Sequence, residues 1–204
     1  GFGYSNKVEI TSASATGSTA YVSMRHKIEA QNLVSLMNGT SSAKSLTLSF
    51  WVKAPVTGTF AVSLKKFDNT ARRISKTYTV SSANTWEKKT VTFAGDTAGG
   101  GINNDNGEGI MINWWLAAGS NYTSTDSSSW INDATAARAY GHAVDCMAQT
   151  GSFLLTGVQL EVGTTATEFE YIPYRMNLDA CRRYHWKFSG DVSMHADRTT
   201  DAHN

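Results

Sequence analysis

The sequence has few cysteines, few charged residues and no long apolar stretch. Its two cysteines, Cys146 and Cys181, match no metal-ligand spacing and are too few for a disulfide framework. Only 17% of the 204 residues are charged and the formal net charge is +1, so no basic excess is available to bind nucleic acid or anionic lipid. The longest apolar run is broken by Asn113, and no stretch approaches the roughly 18 residues of a membrane-spanning helix. We therefore expect neither nucleic acid partners nor membrane insertion.

The apolar residues recur at every second position, which is typical of strands with one buried face. The clearest example is 45–54, where Leu46, Leu48, Phe50 and Val52 alternate with more polar residues. Similar segments occur around 60–64, 91–93, 110–116 and 153–162, with weaker ones at 21–24 and 77–80. In the last long segment we place Leu154, Val158, Leu160 and Val162 on one side, and Gly157 predicts a bulge or a close approach. Short strands joined by polar turns predict an all-β fold, an antiparallel β-sandwich of jelly-roll type.

The chain is expected to depart from this pattern only after Pro173. There Asn177 is a candidate cap for a short helix, with Leu178, Cys181 and Tyr184 at helical spacing. We predict a β-sandwich domain over 1–174, a short helix over 175–188 and a polar tail or linker over 189–204. Because the sequence begins at Gly1 without an initiator methionine, we expect a fragment or a processed piece of a longer chain.

Several short motifs occur in an order that resembles a module of tailed-bacteriophage fibre and appendage proteins. The motifs are Gly1-Phe2-Gly3-Tyr4-Ser5, Ile28-Glu29-Ala30-Gln31-Asn32-Leu33, Leu48-Ser49-Phe50-Trp51-Val52-Lys53, Thr85-Trp86-Glu87-Lys88-Lys89, Leu116-Ala117-Ala118-Gly119-Ser120, Val158-Gln159-Leu160-Glu161-Val162-Gly163 and Cys181-Arg182-Arg183-Tyr184. The resemblance covers roughly residues 1–188, and the shared order makes it more specific than any single motif. Ala30 and the segment 168–174 depart from the usual pattern of the family.

The resemblance implies a jelly roll similar to that of carbohydrate-binding modules, a location in the virion as a tail or capsid fibre, and contact with the host surface. It also implies a homotrimer that joins other virion proteins. It identifies no ligand.

The best ligand candidates lie on the long loop 119–138, which combines aromatic rings with amides and charged groups. Sugars offer apolar C–H faces for stacking and hydroxyls for hydrogen bonds, and long loops in compact domains are frequently functional. The candidates are Asn121, Tyr122, Asp126, Trp130, Asn132, Asp133 and Arg138. Trp130 followed by Ile131 has an equally good explanation as a plug that packs the loop onto the sandwich.

A second candidate platform is Trp115, which shares its strand face with Asn113. Burial between subunits explains the same residues at least as well. For Trp51 and Trp86 we favour a structural role, since aromatic residues often cover a sheet surface.

Catalysis and metal binding are the less favoured readings. The carboxylate pairs Asp126 with Asp133, Asp105 with Glu108 and Glu168 with Glu170 lie in polar loops or turns, where solvated carboxylates are ordinary. A structural calcium at Glu161 is disfavoured because Thr156-Gly157 offers no second carboxylate. We expect no cofactor and no enzymatic activity.

The sequence thus predicts a noncatalytic fibre module that attaches to the host surface by recognising a glycan. A purely structural trimerising adaptor and a polysaccharide depolymerase remain as alternatives.

Overall fold

The structure, a computed structural model that describes residues 2–185, is an antiparallel β-sandwich followed by a short helical segment. It divides into two units, Gly1–Phe169 and Glu170–Asn204, so the sandwich ends five residues before the predicted boundary. The predicted polar tail, 189–204, lies outside the described residues.

Two antiparallel sheets form the sandwich. The four-stranded sheet has the order β1-β9-β3-β6 and consists of β1 (Asn6–Ile10), β9 (Gly151–Val162), β3 (Leu46–Lys53) and β6 (Glu87–Phe93). The five-stranded sheet has the order β2-β7-β4-β5-β8 and consists of β2 (Tyr21–Glu29), β7 (Glu108–Ala118), β4 (Gly58–Lys66), β5 (Arg72–Val80) and β8 (Ile131–Asn132). The all-β prediction and the β-sandwich prediction are confirmed.

The core lies between the sheets and is built from the alternating apolar residues that the sequence indicates. Phe50 of β3 meets Tyr78 of β5 edge-on at a centroid distance of 5.1 Å and Trp114 of β7 at 6.0 Å. Phe50, Trp114, Phe60 and Phe153 are each at most 2% exposed. Burying side chains of this size stabilises the fold by about 1.5–3 kcal/mol each, which locks the two sheets face to face.

A buried ionic cluster ties the loop after β6 to the edge of the other sheet. Lys66, at the end of β4, is fully buried, and its Nζ donates to the carbonyl oxygens of Gly99 at 2.9 Å and Gly100 at 2.6 Å. The Asp96 carboxylate, also fully buried, lies 3.4 Å from Lys66 Nζ and accepts from Arg72 Nε at 2.9 Å. Buried charges need such partners, since an isolated one is far costlier than an exposed one.

Gly157 interrupts the pairing of β9 with β3. The register shifts between Ser49 and Trp51, and Gly157 has a φ of 56°, which favours glycine. The predicted bulge is therefore confirmed. It also corrects our face assignment for β9: Phe153 and Leu155 point into the core before the bulge, so Leu154 does not share a face with Val158 and Leu160.

The C-terminal helix is α1 (Tyr174–Arg182), and it begins earlier than predicted. Pro173 occupies the N-cap position and no side chain caps the helix, so Asn177 lies inside α1 and is not its cap. Proline is well tolerated at a helix start because it needs no amide hydrogen-bond acceptor there. Within the described residues no helix is both long and apolar enough to cross a membrane.

Candidate functional site

An aromatic side chain projects outward from the middle of the four-stranded sheet. Leu48, Phe50 and Val52 of β3 point into the core, so the alternation turns Trp51 to the opposite face. Its cross-strand neighbours are Thr156 on β9 and Lys88 on β6. Trp51 is half-buried, with a hydroxyl on one side and an exposed ammonium group on the other.

The N-terminal segment and the loop before β6 complete a cleft around Trp51. The cleft has a volume of about 550 Å³ and is lined by Phe2, Gly3, Tyr4, Ser5, Trp51, Trp86 and Thr156. We call it the aromatic cleft. Tyr4 is 95% exposed, although aromatic side chains usually lose most of their surface on folding, and Trp86 keeps 38% of its surface exposed. The volume lies within the range of small-molecule sites.

Both walls of the aromatic cleft are fixed by specific contacts. Thr156 Oγ1 donates to the Tyr4 carbonyl oxygen at 2.7 Å, and the Phe2 ring meets Phe169 edge-on at 4.8 Å. A Cβ on Gly157 would lie 2.4 Å from the Phe2 ring, so the bulge glycine makes room for that ring. The N-terminal wall is thus seated on β9.

The opposite wall, which carries Trp86, is held by its neighbour Glu87. That carboxylate accepts from the backbone amides of Ser81 and Ser82 and from Lys89 Nζ. The hydrogen bond from Lys89 is the main cause that holds the pKa of Glu87 below its usual value. Glu87 therefore stays ionised at neutral pH and closes the turn that presents Trp86.

The aromatic cleft is a candidate site that the sequence did not lead us to select. We assigned Trp51 and Trp86 a structural role and placed no ligand near Phe2 or Tyr4. The signal was the tryptophan at an outward-facing position of β3, between Ser49 and Lys53. Nothing in the sequence showed that residues 2–5 would lie beside it.

Trp115 and Asn113 do not offer an accessible platform, which corrects our expectation for this strand. Both are 1% exposed on the outer face of the five-stranded sheet. Trp115 Nε1 donates to Ser63 Oγ at 3.0 Å, and its ring packs against Ala139 and edge-on against Tyr21. The long loop returns over this face and covers the indole. The burial lies within one chain, so it needs no second subunit.

Three of the predicted loop residues come together on this same face. Arg138 lies over the Tyr122 ring, with its Cζ 5.8 Å from the centroid. The Asp133 carboxylate accepts from Lys65 Nζ at 2.6 Å and from Arg73 Nε at 2.8 Å. Burial raises the pKa of Asp133, but these cations outweigh it and hold the pKa below its usual value.

The other predicted loop residues are scattered. Trp130 packs against the core and donates from Nε1 to the Ala94 carbonyl at 2.7 Å, as the plug interpretation predicted. Asn132 accepts from Arg72 Nη1 at 3.0 Å, and Asp126 is exposed and caps the turn at Ser128. Asn121 is exposed and contributes its backbone amide to Ser18.

Two acidic residues considered for metal binding or catalysis, Glu161 and Asp133, are held by hydrogen bonds to neighbouring side chains. Within residues 2–185 no group of three His, Cys, Asp or Glu side chains is placed to hold a metal ion. The Glu161 carboxylate accepts from the Thr167 hydroxyl at 2.5 Å, and this bond is the main cause of its lowered pKa. The paired, ionised Asp133 is a poor proton donor, as a glycosidase general acid must be protonated.

Comparison with known proteins adds a fold likeness only. No family model and no curated protein matches the sequence. A solved structure described as "CBM4 structure and function" is similar with a TM-score of 0.37 at 11% identity, over 76% of this chain and 69% of that chain. Another, "Family 16 Carbohydrate Binding Module-2", has a TM-score of 0.36 at 14% identity, over 79% of this chain and 78% of that chain. At TM-scores below 0.5 these likenesses assign no ligand, activity or partner to this chain.

Proposed function

We propose that the protein is a noncatalytic glycan-binding β-sandwich whose ligand lies in the aromatic cleft. The observation that carries the proposal is the exposure of Tyr4 and Trp86 beside Trp51 in a cleft of about 550 Å³. Aromatic faces in such a cleft suit the C–H faces of a pyranose ring. Polar groups lie near the rings: the ammonium group of Lys88, which pairs with Trp51 across the sheet, and the hydroxyls of Ser5 and Thr156.

In its finer form the proposal places the module in a bacteriophage virion. A tail or capsid fibre that carries it would attach to a host cell-surface glycan as a homotrimer joined to other virion proteins. The support is the ordered set of motifs from Gly1-Phe2-Gly3-Tyr4-Ser5 to Cys181-Arg182-Arg183-Tyr184. Phe2, Tyr4, Trp51 and Trp86 all fall within those motifs, so the resemblance and the aromatic cleft involve the same residues.

The test compares Trp51→Ala and Trp86→Ala with wild type in binding to glycan arrays, purified host polysaccharide and whole cells. We expect each substitution to weaken binding at least about tenfold, since losing one stacked ring costs about 1.5 kcal/mol. Trp130→Ala is the matched control, because it removes the same side chain from the loop that we first favoured. Thermal unfolding of each variant shows whether the fold survives.

The proposal fails if wild type binds none of these targets, or if Trp130→Ala abolishes binding while both cleft variants bind normally. Release of reducing ends from the polysaccharide would instead show a depolymerase.

A structural adaptor is the second candidate, and the C-terminal unit favours it. Tyr174, Leu178 and Cys181 share one face of α1, and Tyr174 is 79% exposed. Exposed apolar residues at this density are typical of association surfaces. If this role is the correct one, Tyr174→Ser with Leu178→Ser converts a trimer to a monomer in light scattering. Trp51→Ala and Trp86→Ala would then remain trimeric and bind the glycan targets no differently from wild type.

A further inference from the structure

The outer face of the five-stranded sheet carries, beside the apolar cluster of Trp115, a regular row of polar side chains across its strands. Arg25 on β2 pairs with Asn113 on β7, which pairs with Ser63 on β4, which pairs with Ser75 on β5. The next row contains Lys65 of β4. A sheet face of this kind normally meets water, yet most of the row is buried under the long loop.

Cations outnumber carboxylates on this face. Arg25, Lys65, Arg73 and Arg138 lie on this face, where the Asp133 carboxylate accepts from Lys65 and Arg73 and the Glu108 carboxylate pairs with Lys27. Arg25 and Arg138 both act to lower the pKa of Arg73, as like charges at short range do, although burial is the larger cause. Within residues 2–185 neither Arg25 nor Arg138 forms an ion pair with a carboxylate. This face thus holds two guanidinium groups whose charge the described chain leaves uncompensated.

Aromatic rings hold these two guanidinium groups in place. Arg25 lies over Tyr21 with its Cζ 5.4 Å from the ring centroid, and Arg138 lies over Tyr122 at 5.8 Å. The two tyrosine rings meet edge-on at 4.9 Å. Arg25 is further fixed by hydrogen bonds from Nε to Ser23 and from Nη2 to the Tyr21 hydroxyl. The cations are therefore preorganised beside half-buried ring surfaces, as recognition of a planar anion requires.

We infer that this face is a second binding site, separate from the aromatic cleft, for a carboxylate-bearing saccharide of the uronate class. Arg25 and Arg138 bind the carboxylate, and Tyr21 and Tyr122 contact the sugar ring. An acidic sugar fits better than nucleic acid, because the chain has a net charge of only +1. The site does not depend on the proposed function, since it shares no residue with the aromatic cleft.

The test measures binding of polygalacturonate oligosaccharides by calorimetry, with the fully methyl-esterified oligosaccharide as the neutral control ligand. We expect wild type to bind the acid at least about tenfold more tightly than the ester, because charge-assisted hydrogen bonds are the stronger class. Arg25→Gln combined with Arg138→Gln should weaken binding of the acid at least about tenfold. Lys44→Gln removes an exposed cation elsewhere and should leave the affinity unchanged. Binding should also weaken as the salt concentration rises.

Trp51→Ala separates the two sites. If it leaves polygalacturonate binding intact, the second site stands whatever the aromatic cleft binds. The inference is overturned if wild type binds acid and ester equally or not at all, or if the double arginine variant keeps the wild-type affinity. It is also overturned if single-stranded DNA of equal charge binds as tightly and responds to the same substitutions.

Discussion

His142 is the residue whose surroundings bear most directly on stability. It is 8% exposed, its Nδ1 accepts from the Ala61 backbone amide at 3.1 Å, and its ring lies edge-on to Phe60 at 5.7 Å. Burial lowers its pKa from 6.5 to about 4. The folded protein therefore holds His142 neutral at pH values where the unfolded chain binds a proton.

Because the pKa of His142 differs between the folded and unfolded chain, protonation of this one side chain should lower the free energy of unfolding in acid. The contribution of neutral His142 is complete above pH 6.5 and is lost as the pH falls towards 4, by about 3 kcal/mol in total. Urea unfolding at pH 7 and pH 4.5 measures it. We expect wild type to lose about 2 kcal/mol more than His142→Gln, in which an amide oxygen can still accept from Ala61.

Acid affects the carboxylates of both proteins alike, so the comparison isolates the imidazole. His26→Gln, which changes an exposed histidine on β2, should behave as wild type does. An equal loss in wild type and His142→Gln would contradict the account.

The tryptophans show what a sequence can and cannot predict about single residues. Alternation correctly turns both Trp51 and Trp115 away from the core, because each lies at an odd position between inward-facing residues. Whether an outward ring is then exposed depends on distant parts of the chain. Residues of the long loop cover Trp115, while the N-terminal segment only flanks Trp51. The expected accessibility of Trp115 was wrong for that reason, and the role of Trp51 stays a prediction.

Among the larger elements, the loop after β6 depends on one lysine. Lys66 satisfies the carbonyls of Gly99 and Gly100 and faces the buried Asp96 carboxylate. Arg72 cannot replace it, because its Nε already binds Asp96 and its Nη atoms bind Asn132 and the Trp130 carbonyl. One ammonium group thus joins this loop to the last residue of β4.

Lys66→Met should lower the free energy of unfolding by about 3–5 kcal/mol, because it leaves buried carbonyls without a donor and a buried carboxylate with one cation fewer. Chemical denaturation measures the change. Lys44→Met removes an exposed lysine from the loop before β3. Its free energy of unfolding should stay within about 0.5 kcal/mol of that of wild type. A loss below about 1 kcal/mol for Lys66→Met would show that the loop does not need the charge.

The sequence correctly predicts the strands whose positions are set by packing of apolar side chains in the core. The predicted strands around 45–54, 60–64 and 110–116 are present, because one face of each packs into the core between the sheets. β5 begins at Arg72 and not near Thr77, since partners at Asp96 and Asp133 let two arginines join a strand. Those partners are distant in sequence and leave no local signal.

At the scale of the whole molecule, we expect the sandwich to fold without the C-terminal unit. No residue of α1 is buried, and all the core residues within 2–185 lie before Phe169. A chain that ends after Phe169 should keep a cooperative transition with a midpoint within a few degrees of that of the full chain. Calorimetry checks this expectation, and light scattering of the two chains shows what the C-terminal unit adds to assembly.

A chain that ends after Thr150 is the control. It lacks β9, which lies between β1 and β3, and should not fold. If the chain ending at Phe169 is also unfolded, the division into two units is wrong.

The order of strands within the sheets is what the sequence left open at this largest scale. Alternation identifies strands but carries no information about which ones pair, so the position of β9 beside β1 came only with the structure. The aromatic cleft depends on that pairing. It could not be predicted before the first and last strands were known to be neighbours.

That pairing of the first and last strands has a mechanical consequence. Because β1 runs antiparallel to β9 and Phe2 touches Phe169, the chain enters and leaves the sandwich at one place. In a longer polypeptide, tension between the two ends of the sandwich would act first on the contacts of Phe2 and Tyr4, which lie where the chain enters, and on the second half of β9, which pairs with β3. Because Phe2 and Tyr4 line the aromatic cleft, such tension would act directly on the shape of the cleft.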